Sequence, residues 1–293
     1  MNSLYKVAGI SKQAVNKYAL AIKEKEQKLM MLISEAEDLR AEHPGCGVEK
    51  MYYTLKPDFM GRDKFIETFM MLGFRVKRKR NYRRTTYSSK VYYPNLIKGM
   101  EVTAPNVIWQ SDITYIEVGN RFYYAVFIID VYTKELVGYQ VSEHMFATAN
   151  IKAFNMASNK FGYPEIHHSD RGSQYIYKEY TNLLKANGTS ISMALTAQDN
   201  AYAERINRTI KEEYLSRWEI RTFAELKRAV SRAVKNYNAK RIHNNLGRRT
   251  PQAFREFVVH LPEQDRPVVI IYTEGNDKTV MTSSHHSFKQ DLT

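Results

Sequence analysis

The chain has 293 residues, which is enough for one large domain or two modest ones. Hydrophobic residues make up 43% of it, so it can build a core and is not a globally disordered protein. Lys and Arg exceed Asp and Glu by 44 − 31 = 13 charges, and a surplus of this size indicates a polyanionic partner such as nucleic acid. The alternative is a basic protein whose charges are merely solvated.

Membrane and secretory signals are missing from the sequence. No run of about eighteen apolar residues exists, so we expect no membrane partner. The first residues lack the apolar stretch of a secretory signal. Cys46 is the single cysteine, which excludes an internal disulfide and is typical of a reducing compartment. We therefore expect a cytoplasmic protein, associated with the bacterial nucleoid through its nucleic-acid partner.

Residues 1–74 form a predicted helical region. Apolar spacing predicts a long helix from about Ser3 to Leu39, with Ser11 as a good N-terminal cap within it. Two short amphipathic helices, 48–55 and 62–72, follow and are separated by a turn. This outline is typical of a helix-turn-helix DNA reader, although any helical hairpin shares it. Arg62 and Lys64 would then be candidate DNA contacts.

Residues 75–105 form a predicted basic linker. Positions 75–90 contain eight Lys or Arg residues and no acid. Such a run repels itself and cannot form a core, but it can neutralise phosphates and release counterions. The alternative is a linker whose charge only aids solubility. The candidate DNA contacts in it are Lys77, Arg78, Lys79, Arg80, Arg83 and Arg84.

From residue 106 the sequence is rich in β-branched and aromatic residues. Three strands in close succession, with Gly119-Asn120 as a hairpin turn, predict an antiparallel meander. Helices and short strands then alternate, which predicts a mixed five-stranded α/β sheet in a domain over 106–258. A tail over 259–293 contains one strand-like piece, 268–272. The predicted strands are 112–118, 122–132, 136–141, 165–168 and 189–193, and the predicted helices are 148–161, 177–186, 200–215 and 223–237.

Three acidic residues lie at positions in this pattern of strands and helices that indicate a function. Asp112 interrupts a strand whose other residues favour burial. Asp170 follows the end of another strand, and Glu204 lies in the first turns of a helix. Each has an ordinary interpretation alone: a solvent-facing Asp, a turn cap, and an i,i+4 surface pair of Glu204 with Arg208. Together they are hard oxygen ligands that suit Mg²⁺, with Mn²⁺ as a substitute.

Such a trio predicts metal-dependent phosphoryl transfer on nucleic acid. Two ions in one pocket can activate an attacking oxygen and stabilise a leaving oxygen. Lys211, two turns beyond Glu204, is placed to hold a DNA phosphate.

At these residues the sequence resembles OrfB-type transposases of the insertion-sequence-3 family, which belong to the retroviral-integrase superfamily. Four blocks carry the resemblance in the family's order: VIWQSDITYI, HHSDRGSQY, DNAYAERINRTIKEEY and YNAKRIHNNLGRRTP. Residues 43–83 also resemble the family's helix-turn-helix region. The resemblance covers roughly 43–257 and implies an RNase H-like catalytic core.

The resemblance also implies roles for particular residues. It makes Asp112, Asp170 and Glu204 the DDE triad of a two-metal DNA transposase, and Lys211 a contact to the element's terminal DNA. We include Arg171 and Arg208 among the candidate DNA contacts. Asp170 and Glu204 are 34 positions apart, slightly closer than is usual for the family, so the loop at residues 195–198 is expected to be short.

Further partners follow from the same resemblance. Family members cut DNA 3′ ends and transfer strands, commonly as fusions with an upstream helix-turn-helix and zipper protein. We expect double-stranded DNA as substrate, a homo-oligomer of at least two copies to bring two ends together, and possible use of that upstream partner. His43 and Cys46 have no second His/Cys pair nearby, so no structural zinc is expected.

Two other functions remain open at this point. One is a different RNase H-like nuclease, which would cut DNA junctions or RNA–DNA hybrids with the same triad. The other is a non-catalytic DNA-binding regulator. The helix-turn-helix pattern and the basic run favour duplex DNA over the first alternative, and the presence of all three carboxylates disfavours the second.

Overall fold

A computed structural model describes residues 11–76, 93–271 and 281–282. The chain divides into two compact units, Met1–Lys77 and Arg78–Thr293. Six of the predicted DNA contacts in the basic linker lie outside the described residues: Lys77, Arg78, Lys79, Arg80, Arg83 and Arg84.

The first unit is helical, as the sequence predicts. Helix α1 covers Lys12–Glu42, α2 covers Val48–Leu55 and α3 covers Arg62–Met71. Ser11 caps α1, because its side chain accepts a hydrogen bond from the Ala14 N–H at 3.1 Å. The helix ends at Glu42 and not near Leu39, and residues before Ser11 lie outside the described range.

Helices α2 and α3 have the predicted lengths and share a core with α1. Phe65 and Phe69 are fully buried and their rings stack with centroids 4.1 Å apart. Met51 of α2 and Ala36 of α1 complete the centre of this core. The assignment of these helices as a DNA reader stays a prediction.

The second unit is built on a mixed five-stranded sheet, which confirms the predicted α/β, RNase H-like fold class. Its strand order is β4-β3-β2-β5-β6, with β2 in the centre. The β2–β3 and β3–β4 pairs are antiparallel, while β2–β5 and β5–β6 are parallel. The strands are β2 (Ile108–Val118), β3 (Arg121–Asp130), β4 (Leu136–Ser142), β5 (Ile166–Ser169) and β6 (Ser190–Met193).

Helices cover both faces of this sheet. Side chains alternate between the faces along a strand. Val126 and Ile128 of β3 therefore pack against α4 (Ala147–Phe161) and α5 (Lys178–Ala186). Their neighbours on β3, which include Phe127, pack against α6 (Ala201–Thr209) and α7 (Phe223–Ala239). Both faces of the sheet are thus buried, and functional side chains must emerge at its edges or ends.

A second, small sheet was not predicted. Strand β1 (Glu101–Val102) pairs with β7 (Val268–Ile270), and β7 pairs with β8 (Met281–Thr282). Helix α8 (Pro251–Val259) packs beside it, with Thr250 as its N-cap and Pro251 at its first position. Residues at the end of the predicted linker and in the predicted tail thus contribute to this core.

No membrane span is found among the described helices. None of those in residues 11–76 and 93–271 is both long and apolar enough to cross a bilayer.

Candidate active site

Asp112 and Asp170 are brought together by the parallel pairing of β2 and β5. Ser111 of β2 is the register partner of Ser169 of β5. Asp112 and Asp170 are the next residues on these two neighbouring strands, which in any sheet run about 4.8 Å apart. The pairing therefore places at one edge two carboxylates that are 58 positions apart in the sequence.

Glu204 is held against the same strand by three links between β2 and the segment that begins at α6. Alternate residues of β2 face this segment. Gln110 binds residues 199–203, Asp112 accepts a hydrogen bond from Asn207 Nδ2 at 2.8 Å, and Thr114 Oγ1 accepts one from Lys211 Nζ at 3.2 Å. Their partners Ala203, Asn207 and Lys211 recur every four residues, so one face of the helix follows the strand.

Gln110 caps the helix that carries Glu204. The N-cap residue of α6, Asn200, makes no side-chain capping bond. Gln110 Oε1 instead accepts hydrogen bonds from the N–H groups of Tyr202 (3.1 Å) and Ala203 (3.4 Å), while its Nε2 donates to the Asp199 carbonyl at 3.1 Å. The first N–H groups of a helix lack intrahelical partners, and a buried glutamine satisfies two of them here.

The Asp170 turn is fixed by its own backbone. The Gly172 N–H donates to Asp170 Oδ1 at 3.0 Å. A Cβ on residue 172 would lie 3.0 Å from that same oxygen, so a side chain there would push the carboxylate by a few tenths of an ångström. Arg171 is a predicted DNA contact. Its Nε donates a hydrogen bond to the Ala194 carbonyl at 3.0 Å, so the side chain also has a role within the fold. The buried Tyr175 hydroxyl lies 2.6 Å from Ser111 Oγ and ties the turn to β2.

Burial and mutual repulsion make the three carboxylates weaker acids. Burial first, then the charges of Asp170 and Glu204, raise the pKa of Asp112 to about 8. Burial also raises the pKa of Asp170. The pKa of Glu204 is raised by burial and by Asp170, against the opposing charge of Arg208. The three residues therefore share one electrostatic environment that disfavours their negative charges.

The arrangement is not a preformed metal cage. Within the described residues, no three His, Cys, Asp or Glu side chains are grouped so that they could hold a metal ion as they stand. The donor set nevertheless fits a hard divalent cation, because carboxylates that repel one another, two half-buried and one exposed, are neutralised best by such an ion. Asn207 Oδ1, beside Asp112, is buried and has no hydrogen-bond partner within the part of the chain that the structure describes.

The segment after α6 departs from the predicted continuous helix 200–215. A 3₁₀ turn, Ala197–Asn200, precedes α6; a π-helical turn, Ile210–Tyr214, and a 3₁₀ turn, Leu215–Arg217, follow it. The wider π turn lets Ile210, Tyr214 and Leu215 all reach one hydrophobic core, which a regular helix ending there would not achieve.

Lys211 lies in this π turn. Besides its bond to Thr114, its ammonium lies 4.6 Å from the centre of the Tyr115 ring. Burial lowers the pKa of Lys211, with Asp112 opposing. Arg208, by contrast, is exposed on α6. Glu204, Arg208 and Lys211 thus lie along one helix face, as predicted. Glu204 and Arg208 are exposed on it, whereas Lys211 is half-buried.

The other two predicted DNA contacts within the described residues belong to the first unit. Arg62 pairs with Asp63 at 2.8 Å and Lys64 pairs with Glu67 at 2.9 Å. Both pairs are solvent-exposed, so water screens them and they are weak.

Gln110, Asn207 and Tyr175 are site residues that the sequence reasoning missed. The spacing of Asn207 and Lys211, four positions apart on one helix face, was an available signal for Asn207. For Gln110 and Tyr175 no local pattern gives their partners, which lie 89 and 64 positions away in the chain.

Comparisons with known proteins place the chain in a family. The Integrase core domain family matches residues 102–198, and a second Integrase core domain family matches residues 188–251. The chain is similar over 52% of its length to the HTLV-2 integrase catalytic core domain in complex with magnesium, of which it covers 97%, at 20% identity and a TM-score of 0.45. The two family matches together cover residues 102–251 of the second unit.

Two relatives from insertion elements identify the family to which the chain belongs. The chain is 37% identical over 205 residues to the insertion element IS600 uncharacterized 31 kDa protein of Shigella sonnei, covering 67% of this chain and 75% of the relative. It is 32% identical over 192 residues to the transposase for insertion sequence element IS904 of Lactococcus lactis, covering 63% and 74%. The chain belongs to the transposases of insertion sequence elements, so the predicted family resemblance is confirmed and its function is DNA transposition.

Proposed function

We propose that this chain cuts DNA 3′ ends of an insertion sequence and joins them to target DNA, with Asp112, Asp170 and Glu204 as the catalytic carboxylates. The observation that carries the proposal is the shared environment of the three side chains. Asp112 and Asp170 stand next to each other on paired strands, and Glu204 raises the pKa of Asp112 through space. Carboxylates gathered in this way are costly for the fold unless a cation uses them.

The cation is Mg²⁺, or Mn²⁺ in its place, at two ions per site held by Asp112 and Asp170 with Glu204 completing the set. When bound, these ions activate the attacking oxygen and stabilise the leaving oxygen of a phosphoryl displacement. The magnesium complex of the HTLV-2 core domain concerns that protein, and the donor chemistry of this chain supports the same ion here.

The reaction consists of two displacements in which bonds balance without a covalent protein intermediate. A water oxygen attacks phosphorus at the element end, the P–O3′ bond breaks, and the departing O3′ gains a proton. That 3′-OH then attacks a phosphorus in the target strand, loses its proton, and displaces a target O3′. One phosphodiester bond forms for each one broken in the second step.

The chain's own residues orient the participants. Asn207 holds one oxygen of Asp112 and the Ile113 N–H holds the other at 2.8 Å, so this carboxylate has a fixed direction. Gln110 fixes the start of the helix from which Glu204 projects. Lys211 is proposed to leave Thr114 and bind a phosphate of the element's terminal DNA, and Arg208, on the exposed side of the helix, to bind another.

The test uses the purified full chain with labelled element ends, an unlabelled target duplex and Mg²⁺. Asp112→Asn and Asp170→Asn should each reduce cleavage and strand transfer by at least about a thousandfold, as loss of a group acting in the transition state does. Asp265→Asn, which removes an exposed carboxylate elsewhere in the second unit, is the matched control and should keep full activity. If Asp170→Asn retains strand transfer, the assignment of the triad is wrong.

The wider partners are proposed on the same basis. Two element ends must be held together for joining, so we propose that at least two copies of the chain assemble on double-stranded DNA. An upstream helix-turn-helix and zipper protein is the proposed source of further end recognition. Comparing DNA binding by this chain alone and in the presence of that protein would test the second point.

A further inference from the structure

Helix α7 has an exposed face of unusual composition. Seven of its residues are solvent-exposed: Ala224, Lys227, Arg228, Ser231, Arg232, Lys235 and Ala239. Four of the seven are basic and the other three are small. The opposite face of the helix, which includes Leu226, Val230 and Tyr237, is buried against the sheet. The exposed residues recur at spacings of three and four, so they form one stripe along the helix.

Helices α4 and α5 do not have such a stripe in the part of the domain that the structure describes. The exposed charges of α4 are two lysines eight positions apart, Lys152 and Lys160, and those of α5 are Lys178, Glu179 and Lys185. On α7 the basic residues are closer together, and like charges four residues apart, such as Arg228 and Arg232, destabilise a helix. Half-exposed Glu225 lies beside Arg228, and Lys227 and Arg232 lie over the Phe223 and Trp218 rings. With four basic residues against this one acid, the face keeps a net charge of 4 − 1 = +3.

We infer that this stripe is a second DNA surface of the core domain, which binds the phosphate backbone of a duplex. The basic side chains supply the charge, and Ala224, Ser231 and Ala239 between them leave room for a bulky ligand to approach. A helix rises 1.5 Å per residue, so the stripe from 224 to 239 is roughly 22 Å long, comparable to about two-thirds of a turn of duplex DNA. The inference rests on the proposed function and names a further surface for its substrate.

Two features of the fold agree with this assignment. Helix α7 lies on the same face of the sheet as α6, which carries Glu204, so DNA held along α7 can continue toward the carboxylates. Beside the first turns of α7 an open groove separates Lys227 from the end of β4. This groove is lined by Gln140, Val141, Ser142, Glu143, His144, Lys152, Phe223 and Lys227. Lys152 and Lys227 bring two positive charges to it against the single Glu143.

The contacts are to phosphates and not to bases. The exposed side chains are Lys and Arg, which are donors only, without the Asn or Gln that would add acceptors for base edges, so the stripe mainly supplies charge for phosphates. We therefore expect this surface to contribute equally to any duplex sequence. Target DNA, which the proposed reaction must also hold, needs binding of this kind.

The test measures the salt dependence of duplex binding. The variant Lys227→Gln/Arg228→Gln/Lys235→Gln removes three charges from the stripe. The matched control, Lys160→Gln/Lys178→Gln/Lys185→Gln, removes three charges from α4 and α5 on the opposite face of the sheet. Both are made in full chain carrying Asp170→Asn, so that cleavage does not disturb the titration. Dissociation constants for a duplex of random sequence are measured by fluorescence anisotropy across a range of NaCl concentrations.

Each phosphate contact contributes about 0.9 to the slope of log affinity against log salt. The stripe variant should therefore lose about 2 to 3 from the slope and weaken binding about tenfold or more at low salt, whereas the control should lose less than about 1. An unchanged slope in the stripe variant, or equal losses in both variants, would overturn the assignment. Failure of the proposed function is separate, because it would appear as strand transfer by Asp170→Asn itself.

A direct contact is tested by photo-crosslinking. A benzophenone amino acid replaces Ser231 in the middle of the stripe, or Asn159, which is exposed on α4, as the control. The expected result is a covalent adduct with duplex DNA from position 231 and little or none from position 159. An adduct with a second copy of the chain, or no DNA adduct from position 231, would count against a DNA surface.

Discussion

Asn207 Nδ2 lies 2.8 Å from Asp112 Oδ2, and this hydrogen bond is the middle one of three connections between β2 and the Glu204 helix. Asn207 is nearly buried and its own Oδ1 has no partner among the described residues. The hydrogen bonding of the Asn207 amide among the described residues is thus directed at the Asp112 carboxylate. It also opposes the burial that raises the pKa of Asp112, because it stabilises the charged form.

Replacing Asn207 by Leu should weaken Mg²⁺ binding about 10- to 100-fold, as loss of a residue that orients a metal ligand does. Without the amide, Asp112 holds its proton more tightly, so cleavage should require a higher pH than in the parent. Mg²⁺ affinity from titration calorimetry and the pH profile of cleavage are the measurements. Asn155→Leu, on the exposed face of α4, is the control. An unchanged pH profile would leave Asn207 with a packing role only.

Replacing Gln110 is expected to lower both the stability of the fold and the activity that depends on the helix carrying Glu204. Gln110→Ala removes a hydrogen-bond partner from two N–H groups and one carbonyl at the start of α6, which should cost about 1 to 3 kcal/mol of the free energy of unfolding. Strand-transfer activity should fall further than the loss of folded protein explains, because Glu204 projects from the loosened turn.

Urea unfolding measures the first effect, and activity at a temperature where the variant is fully folded measures the second. Gln252→Ala, which removes an exposed glutamine from α8, should change the free energy of unfolding by less than about 0.5 kcal/mol. Full activity of folded Gln110→Ala would show that the turn keeps its geometry without the glutamine.

The sequence predicts the sheet and its carboxylates because both follow from local signals. Alternation of apolar residues gives the strands, the Gly119-Asn120 turn gives the meander, and three acids stand out against that pattern. The bounds of α2 and α4 agree to within a residue or so for the same reason. Such signals depend on neighbours within one or two turns of chain.

The structural features that could not be predicted from the sequence depend on contacts between residues far apart in the chain. Gln110 contacts the turn at residues 199–203 from 89 positions away in the chain, with β3, β4, α4, β5, α5 and β6 between them. Strand β1 is two residues long and pairs with residues of β7 that lie 169 and 167 positions away, Glu101 with Ile270 and Val102 with Val269. The π turn at 210–214 arises where the core accepts Tyr214 and Leu215 together. None of these has a periodic pattern of its own.

Gly138 on β4 should tolerate no side chain. A Cβ there would lie 2.2 Å from the Ala153 carbonyl oxygen and 3.0 Å from the Ala157 Cβ, so α4 would have to move off the sheet. We expect Gly138→Ala to lower the free energy of unfolding by about 3 kcal/mol or more. The comparison is Gly188→Ala, which meets no atom within 4 Å but has a φ of +73° and should cost about 1 kcal/mol.

Intrinsic fluorescence suits this measurement, because both tryptophans, Trp109 and Trp218, belong to the second unit. Equal urea midpoints for the two variants would mean that α4 shifts without cost and that the packing between β4 and α4 is looser than the 2.2 Å approach indicates.

Lys134 should make the stability of the second unit depend on pH. It is buried beneath the start of α6, with its ammonium 3.8 Å from the centre of the Tyr202 ring and a bond to the Val131 carbonyl. Burial lowers its pKa to about 7, against the opposing charge of Asp130. In the unfolded chain a lysine titrates near pH 10.4.

Between pH of about 7 and about 10 the unfolded chain therefore binds one more proton than the folded chain. The free energy of unfolding must then rise with pH in this window, at up to about 1.4 kcal/mol per pH unit for a full proton. Lys134→Met removes the titrating group, so this rise should disappear and the variant should gain most, relative to the parent, at or below pH 7. Lys227→Met, at an exposed position, should keep the parent's pH profile. Urea unfolding of the three proteins at pH 6, 8 and 9.5 is the measurement, and parallel profiles for Lys134→Met and the parent would mean that Lys134 stays charged within the fold, with Asp130 and the Tyr202 ring compensating its burial.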